Sequence, residues 1–482
     1  MSTRPRFAVL VAAVLAALPA LASAQSDPGY QQALEAGWAG RYGEALTRID
    51  AYLAAHPGDR AAELDRARFL AWRGDYAAAF DALAHFPDSD AEAAALRART
   101  LAWADRREAA LAINTPLHEA SPDSYDLAWT QALALRQGEW PQRALPALAI
   151  VQSAKPEATD TRSLVDAVRL PLFSSVSAPL SVYNDSDDIE IRSAGIGTNL
   201  WLGDRWHLLA DATRREHSAR ADGPFAPLGG GDSVDETRAG AGLRYAPSPD
   251  IAIEGWLGRS HLDDDTPATD DATIGRLSFS HHASDAVSYV LTADRDRESA
   301  SPRALAVLRN GLAADVRWTP SLRDTLSGRV ALHDFDDDNR RQSFLADYRH
   351  ATWRGDHVML DLGGQAEWQH NTRNSGNGYY SPDRYVRLAP QASAYFSLSQ
   401  DAGLYMSAAL GVQRDETFDN WKRATDVNAE LTLGIYSHWQ LVANGGYSQR
   451  LNQFGRYEGT SVGLQLRYRF CEFNRERCPH VP

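Results

Sequence analysis

Charged side chains occur at mid-segment on the polar side of stretches in which apolar and polar residues alternate. Asp294 and Asp296, for example, are separated by one residue, and residues two apart in a β-strand project to the same face. Carboxylates on such a face accept hydrogen bonds from hydroxyl and amide groups and attract ammonium groups. By this alternation, six side chains are candidate ligands for a polar molecule: Asp211, Asp294, Asp296, Asp361, Glu367 and Arg467.

No catalytic set accompanies these charges. The H-E-x-x-H pattern of zinc peptidases is missing from the sequence, and His333 and His370 have no nucleophile at an evident spacing. Acidic clusters such as 263–265 and 334–338 fall in predicted loops, where a solvated rim is more common than a cation site. We therefore expect no enzymatic activity, no cofactor and no metal.

The element that positions the candidate ligands is a strand with two unlike faces. In 206–213, Trp206 and Leu208 fall on one face while His207 and Asp211 fall on the other. About sixteen such segments, each of roughly ten residues, follow one another along the chain. A soluble two-sheet sandwich would bury the mid-strand charges without partners. We predict a transmembrane antiparallel β-barrel of about sixteen strands over residues 171–470.

The connections between the segments alternate in length. Short turns such as 202–205 and 282–286 are followed by longer polar loops such as 217–232 and 371–384. Outer-membrane barrels have short periplasmic turns and longer external loops. The chain is therefore expected in the bacterial outer membrane, with lipids and the barrel assembly machinery as partners. A net charge of −14 argues against nucleic acid as a partner.

The first residues have the pattern of a signal peptide. Arg4 and Arg6 precede an apolar stretch at 7–21, and small residues at 22–24 provide a cleavage site. Residues 1–24 are thus predicted to be removed. At the other end, 471–482 is predicted to be a periplasmic tail in which Cys471 and Cys478 form one local disulfide.

Residues 25–170 have a helical period and repeat themselves at an interval of roughly thirty to thirty-five residues. The copies begin with Trp-Ala-Gly-Arg-Tyr at 38–42 and Trp-Arg-Gly-Asp-Tyr at 72–76, and the third has Asp105 where the others have glycine. They resemble tetratricopeptide repeats, which stack into a binding surface. The fold class is therefore two-domain, α plus β, with an N-terminal periplasmic α-solenoid. The aromatic residues predicted to dock a partner are Trp38, Tyr42, Trp72 and Tyr76.

Three features together resemble the outer-membrane exporters of bacterial exopolysaccharides. They are the 378–385 loop Gly-Tyr-Tyr-Ser-Pro-Asp-Arg-Tyr, the closing strand 460–470, and a repeat array placed before a barrel. The motif residues of the loop are Tyr379, Tyr380, Pro382 and Tyr385. The relatives are the poly-N-acetylglucosamine export porin and the barrel of the cellulose export subunit. The resemblance implies a passive exit pore for a biofilm polysaccharide, with the repeats docking periplasmic polymer-modifying or synthase components.

A second two-part family provides the alternative interpretation. Surface lipoprotein assembly modulators also join a short repeat domain to a barrel. The predicted count of about sixteen strands rather than fourteen favours the polysaccharide interpretation, and so does the Tyr-Ser-Pro motif at 380–382.

Overall fold

The computed structural model describes residues 27–263, 271–452 and 455–471. The predicted signal peptide and most of the predicted tail, including Cys478, lie outside these ranges. The disulfide between Cys471 and Cys478 therefore stays a prediction.

The described N-terminal residues form nine α-helices whose neighbours along the chain pack on one another. Their bounds are α1 Pro28–Trp38, α2 Tyr42–Ala55, α3 Arg60–Trp72, α4 Tyr76–Leu83, α5 Ala91–Trp103, α6 Arg107–Ala120, α7 Tyr125–Leu135, α8 Leu145–Ala154 and α9 Thr159–Arg169. Alanines such as Ala33, Ala36 and Ala45 are fully buried between helices, because a small side chain lets two backbones approach closely. None of the described helices is both long and apolar enough to span a membrane.

Aspartate is the N-cap residue of several of these helices. Within each helix pair, the connecting turn contains one residue with a positive φ. The Asp59 carboxylate accepts hydrogen bonds from the amides of Ala61 and Ala62 at the start of α3, which satisfies otherwise unpaired donors. The turn between the two helices of a pair has Gly40 (φ 76°), Gly74 (φ 83°) or Gly138 (φ 88°), and in the third pair Asp105 (φ 60°). Aspartate is one of the few residues that tolerates this conformation. The third pair therefore keeps the same turn without glycine.

The rest of the described chain is one closed antiparallel barrel of sixteen strands. Their bounds are β1 Ser174–Asp185, β2 Glu190–Trp201, β3 Trp206–Ser218, β4 Ser233–Ser248, β5 Ile251–Asp263, β6 Asp271–Ser284, β7 Val287–Arg297, β8 Leu308–Trp318, β9 Asp324–Phe335, β10 Arg340–Arg354, β11 Val358–Asn371, β12 Tyr385–Ser399, β13 Ala402–Asp415, β14 Lys422–Leu433, β15 Trp439–Asn452 and β16 Gly455–Phe470. Each strand pairs with its neighbour in sequence, and β1 closes the sheet on β16. The predicted fold class, a helical domain followed by a sixteen-stranded barrel, is confirmed.

The two faces of the sheet differ as the alternation predicts. Leucines and valines on the outer face are open to the surroundings, for example Leu257 and Val462 at 66% exposure each. Aromatic pairs stand at the strand ends near the short turns, with Trp206 stacked on Tyr245 and Trp439 packed on Tyr468. An apolar outer band bordered by aromatic residues matches a bilayer and its interface.

The barrel has a short-turn end and a long-loop end. The helical domain lies on the short-turn end, and the turn of each helix pair meets a barrel turn. In the first pair the Gly43 amide donates to the Asp356 carboxylate at 2.9 Å, between β10 and β11. In the second, Asp75 lies 3.9 Å from Arg323, between β8 and β9.

The third helix pair makes the densest contact with the barrel. Arg106 donates to the backbone carbonyls of Asp285, Thr319 and Ser321 at 2.5, 2.7 and 2.8 Å. The Asp285 carboxylate accepts the amides of Glu108 and Ala109 at 2.8 Å each. These amides are the unpaired donors at the start of α6, which carry positive partial charge. A barrel turn thus caps a helix of the other domain.

The fourth helix pair completes the row of contacts. The Glu139 amide donates to the Pro249 carbonyl at 2.8 Å, and Gln142 donates to the Asp204 carbonyl at 2.9 Å. The Glu139 carboxylate binds Arg244 of β4 through two hydrogen bonds of 2.7 and 2.8 Å. Pairs one to four therefore follow the barrel turns in reverse chain order, from β10–β11 back to β2–β3.

Candidate functional site

Most of the candidate ligand carboxylates on the inner wall are paired with arginine. Asp296 binds Arg238 through two contacts of 2.8 and 2.9 Å. Asp294 lies 3.1 Å from Arg309. These partners come from strands β4 and β8, on either side of β7, so the pairs cross-link the wall. Sequence alternation places the carboxylates on this face but does not identify their partners.

The other predicted lumen residues vary in how firmly they are held. Asp361 lies 2.8 Å from Arg354, and Glu367 lies 3.8 Å from Arg387. Arg467 donates to the side-chain oxygen of Gln440 at 3.1 Å. Asp211 is exposed and makes no salt bridge within the described part of the chain. Among the six candidates, Asp211 is the freest to bind a ligand.

Replacing Asp294 and Asp296 together with asparagine should weaken the barrel. The change would leave Arg238 and Arg309 without their half-buried partners, at a cost of about 1–3 kcal/mol for each pair. The temperature at which the heat-modifiable band disappears on a gel is therefore expected to fall. The control is Asp211→Asn, which removes one lumen carboxylate charge without breaking any ion pair among the described residues. If polymer release fell while this temperature stayed unchanged, the carboxylates would act as ligands and not as braces.

A G-x-S-x-G sequence occurs at 459–463, but it does not form a nucleophile elbow. Ser461 lies inside strand β16 and pairs with Tyr183 of β1. An elbow requires a sharp turn from a strand into a helix. The pattern is therefore part of the barrel wall.

Three loops fold together into the mouth at the long-loop end, and we call them the plug: residues 219–232, 298–307 and 372–384. Leu305 is fully buried against Val234 and Leu262 of the inner wall. Ser301 donates to the Gly378 carbonyl at 2.7 Å, and the Arg303 amide donates to the Phe225 carbonyl at 3.0 Å. Gly378 has a φ of 78°, and a Cβ there would lie 2.8 Å from Arg303 Cβ. Only glycine fits this crossing of two loops.

The tyrosine motif predicted from the sequence belongs to the plug and its rim. Tyr379 is 1% exposed and stacks on Phe335 at 5.0 Å between ring centroids. Tyr380 donates to the Asp415 carboxylate at 2.7 Å and meets Tyr385 edge-on at 5.8 Å. The Pro382 carbonyl accepts hydrogen bonds from the backbone and side chain of Asn371. The motif therefore fixes a buried loop.

The Asp337 carboxylate holds the plug loop 372–384 to the turn between β9 and β10. It accepts hydrogen bonds from Ser375, Asn377 and Tyr379 at 2.7, 2.8 and 2.9 Å. Burial would raise the pKa of this carboxyl group, but the hydrogen bonds from these three side chains outweigh burial and lower the pKa. We call Asp337 and its three partners the latch.

A cavity lies between the plug and one side of the wall, and we call it the slot. It is a cavity of about 470 Å³ whose aromatic lining includes Tyr183, Tyr380, Tyr385 and Tyr457. Its carboxylates include Asp187 in the turn between β1 and β2. Burial, with the charges of Asp185 and Asp188 nearby, raises the pKa of Asp187 to about 6. Aromatic faces and hydrogen-bonding groups together suit a ligand that is both apolar and polar.

A second cavity lies at the short-turn end, between the helix-pair turns and the inner wall. Its volume is about 600 Å³, and its polar lining includes Asp105, Arg106 and Arg317. The described barrel thus has a cavity at either end, with charged pairs on the wall between them.

The four aromatic residues predicted to dock a partner are placed differently. Trp38 is 67% exposed. Trp72 packs against Phe69 and Tyr42 inside the helical domain. Tyr76 lines the cavity at the short-turn end. Tyr42 stands beside Asp356, and burial, then the charge of Asp356, raises its pKa. Tyr42 and Tyr76 therefore face the barrel, and Trp38 is the one of the four most available to a partner.

A polar lumen, an apolar outer band and a plug with a cavity beside it are together typical of an outer-membrane channel. Residues 231–470 match the family model described as the PgaA membrane beta barrel domain. The match covers strands β4 to β16, and the resemblance to an exopolysaccharide export porin is confirmed. The chain accordingly has the barrel of an outer-membrane polysaccharide export channel.

Of three solved structures, one supports the barrel fold. One described as a bacterial polysaccharide outer membrane secretin has 17% identity and a TM-score of 0.52, over 62% of this chain and 99% of that chain. CdiB from Acinetobacter baumannii has 11% identity and a TM-score of 0.38, over 61% and 60%. OmpT of Vibrio cholerae has 10% identity and a TM-score of 0.34, over 62% and 96%. The two lower scores carry no argument. No curated protein matches the chain.

Proposed function

We propose that this protein exports a hexosamine polysaccharide of the poly-N-acetylglucosamine type. The observation that carries the proposal is the slot, which combines tyrosine faces with the carboxylates of Asp185, Asp187 and Glu367. Sugar hydroxyl and amide groups donate hydrogen bonds to carboxylates, and the ammonium of a deacetylated residue is attracted to them. The PgaA-type barrel supports the same substrate class.

The proposed orientation has the helical domain in the periplasm and the plug at the cell surface. Outer-membrane barrels have their short turns on the periplasmic side and their longer loops outside, and the helices lie on the short-turn end. The helical pairs, interpreted as tetratricopeptide repeats, would then receive the polymer or the components that modify or synthesise it. Trp38 at the free end of the array is the proposed docking residue, because Tyr42 and Tyr76 face the barrel.

Planar-bilayer recording of the purified full chain tests the substrate. Linear oligomers of glucosamine and of N-acetylglucosamine should interrupt the ionic current, and oligomers of glucose should do so more weakly. Tyr380→Ala removes a slot aromatic residue and should shorten the interruptions, whereas Tyr436→Ala, far from the slot, should not. Equal block by glucose oligomers would favour a cellulose-type polymer instead.

The lipoprotein alternative makes a different prediction in the same system. A translocon for surface lipoproteins should respond to an unfolded lipoprotein segment and not to any saccharide. Sixteen strands and the PgaA-type barrel favour the saccharide. Block by the peptide alone would reject the export proposal.

A further inference from the structure

One indole lies against the inner wall in the middle of β5. Leu257 beside it projects outward and is 66% exposed, so Trp256 faces the lumen. Trp256 pairs with Gly242 on β4 and with Arg276 on β6. It is half-buried and lines a lumen cavity of about 530 Å³. It is therefore an aromatic residue within a wall of charges.

Glycines on two strands form a flat seat for this ring. A Cβ added at Gly240 would lie 2.6 Å from indole Cε2, and one at Gly258 would lie 2.9 Å from indole Cζ2. Real side chains do not approach so closely, so the ring lies on bare backbone. Glycine inside a strand costs about 0.5–1 kcal/mol and often marks a close approach of another group. Two inward positions of the wall are thus glycine, and this leaves room for the indole to lie flat on the strands.

The ring is held by its face and not by a hydrogen bond. Within the described part of the chain, the indole Nε1 is covered and has no hydrogen-bond partner. The Arg276 guanidinium beside the ring binds the Glu254 carboxylate at 2.8 Å instead. One face of the indole therefore contacts the strands, and the cavity gives access to the other.

The polar groups around the ring suit a ligand that has an apolar face and a polar edge. Asp211 pairs with Gly240, directly beside the seat, and has no salt bridge among the described residues. Asp294 on β7 is opposite Arg276 on β6 in the strand register, and it lines the same cavity. An aromatic floor bordered by acceptors matches a pyranose ring, which has C–H groups on its faces and hydroxyl groups at its edge.

We propose that Trp256 is a stacking platform for sugar rings passing through the lumen, with Asp211 as the adjacent hydrogen-bond acceptor. This inference rests on the proposed export function. The face of an aromatic ring carries partial negative charge, which attracts polarised C–H groups and also the ammonium of a deacetylated hexosamine. Because every ring of the polymer offers the same face, the contact is repeated at each step and holds none of them permanently.

The competing explanation is that the indole only fills space in the wall. Bilayer recording distinguishes the two, using a linear glucosamine hexamer as the probe and the duration of each current block as the readout. Trp256→Ala should shorten the blocks by about tenfold, and Trp256→Phe should give an intermediate duration. The matched control is Trp206→Ala, which removes an indole from the lipid-facing side and should leave the duration unchanged.

Each outcome bears on one proposal. Unchanged block durations in Trp256→Ala, with wild-type heat-modifiability, would overturn the stacking platform and leave the export function standing. If no saccharide blocks the wild-type channel, the export function itself fails. Should the alanine variant not fold, Trp256→Phe takes its place, since it keeps a ring on the same seat. A phenylalanine variant with wild-type block durations then also counts against the platform.

Discussion

A protein that lacks residues 27–158 should still form a heat-modifiable barrel but should export no polymer. Every strand is hydrogen-bonded to its two neighbours without help from the helices, and the contacts between helices and barrel described above are hydrogen bonds and ion pairs at the turns. The midpoint of barrel unfolding is therefore expected to change by no more than about 4 °C. Export should stop, because the proposed receiving surface for the polymer is gone. The two measurements are gel mobility with and without heating, and hexosamine in the medium.

A single substitution tests whether export requires the helices to be attached to the barrel, and not only to be present. Arg106→Ala removes the hydrogen bonds to three barrel carbonyls and should release the third helix pair from the rim, so that added protease cleaves the helical domain sooner. Arg60→Ala removes an exposed pair with Asp90 within the helical domain and is the matched control. Normal export by the shortened chain would reject the receiving role of the helices. Normal export by Arg106→Ala alone would show that the helices need not be seated.

Asp337→Asn should open the latch and raise the single-channel conductance severalfold. The substitution keeps the size of the side chain but removes its charge and presents an amide to donors that need an acceptor. Breaking charged hydrogen bonds of this kind costs about 1.5–3 kcal/mol each, which is enough to free the loop 372–384 from the β9–β10 turn. Because this loop supplies Tyr379 and Tyr380 to the plug, the slot should widen.

The matched control for the latch is Asp338→Asn. This neighbour loses the same charge, but its side chain is 94% exposed, and among the residues that the structure describes its carboxylate has one ion-pair partner, Arg373 at 3.6 Å. Its conductance should match the wild type. If Asp337→Asn also matched the wild type, the loop would be held by its apolar contacts alone and the latch would be refuted.

The latch also has a definite pH dependence. A carboxyl group whose folded pKa is lowered stabilises the folded state above its unfolded pKa, and this contribution is lost as the pH falls through the folded value. The usual pKa of aspartate is 3.8. The wild-type conductance should therefore be constant from neutral pH down to roughly pH 4 and should rise below it. In Asp337→Asn this rise should be missing.

The parts of the fold that repeat could be predicted from the sequence. Alternation in strands and the helical period in the first domain have a regular signature, and for that reason the strand count and the end of β16 at Phe470 agree with the structure. The turn at Asp105 was harder to recognise, because aspartate replaces glycine there. Its left-handed φ of 60° shows that the same turn is kept.

Contacts between distant parts of the chain could not be predicted in the same way. The hydrogen bonds from Arg238 to Asp296 and from Ser301 to Gly378 depend on how the loops and strands are placed in space. Neither pair has a periodic signature in the sequence. The plug has no periodic signature either, although Gly378 within the tyrosine motif is a local signal of close packing. The seat of Trp256 also had a signal, since Gly240, Gly242 and Gly258 fall inside predicted strands, where glycine is unfavourable.

The pairing of β1 with β16, from Ser174 opposite Phe470 to Asp185 opposite Gly459, bears on how the molecule is made. This seam joins the first strand synthesised to the last, and loop closure makes such distant pairing slow. Until β1 and β16 pair, each of them has an unpaired edge that can form hydrogen bonds with another chain. The helices precede every strand in the chain, and they contact hairpin turns from β2–β3 to β10–β11, all of which precede β16. The helices can therefore hold the growing sheet in a curved form until strands β1 and β16 pair.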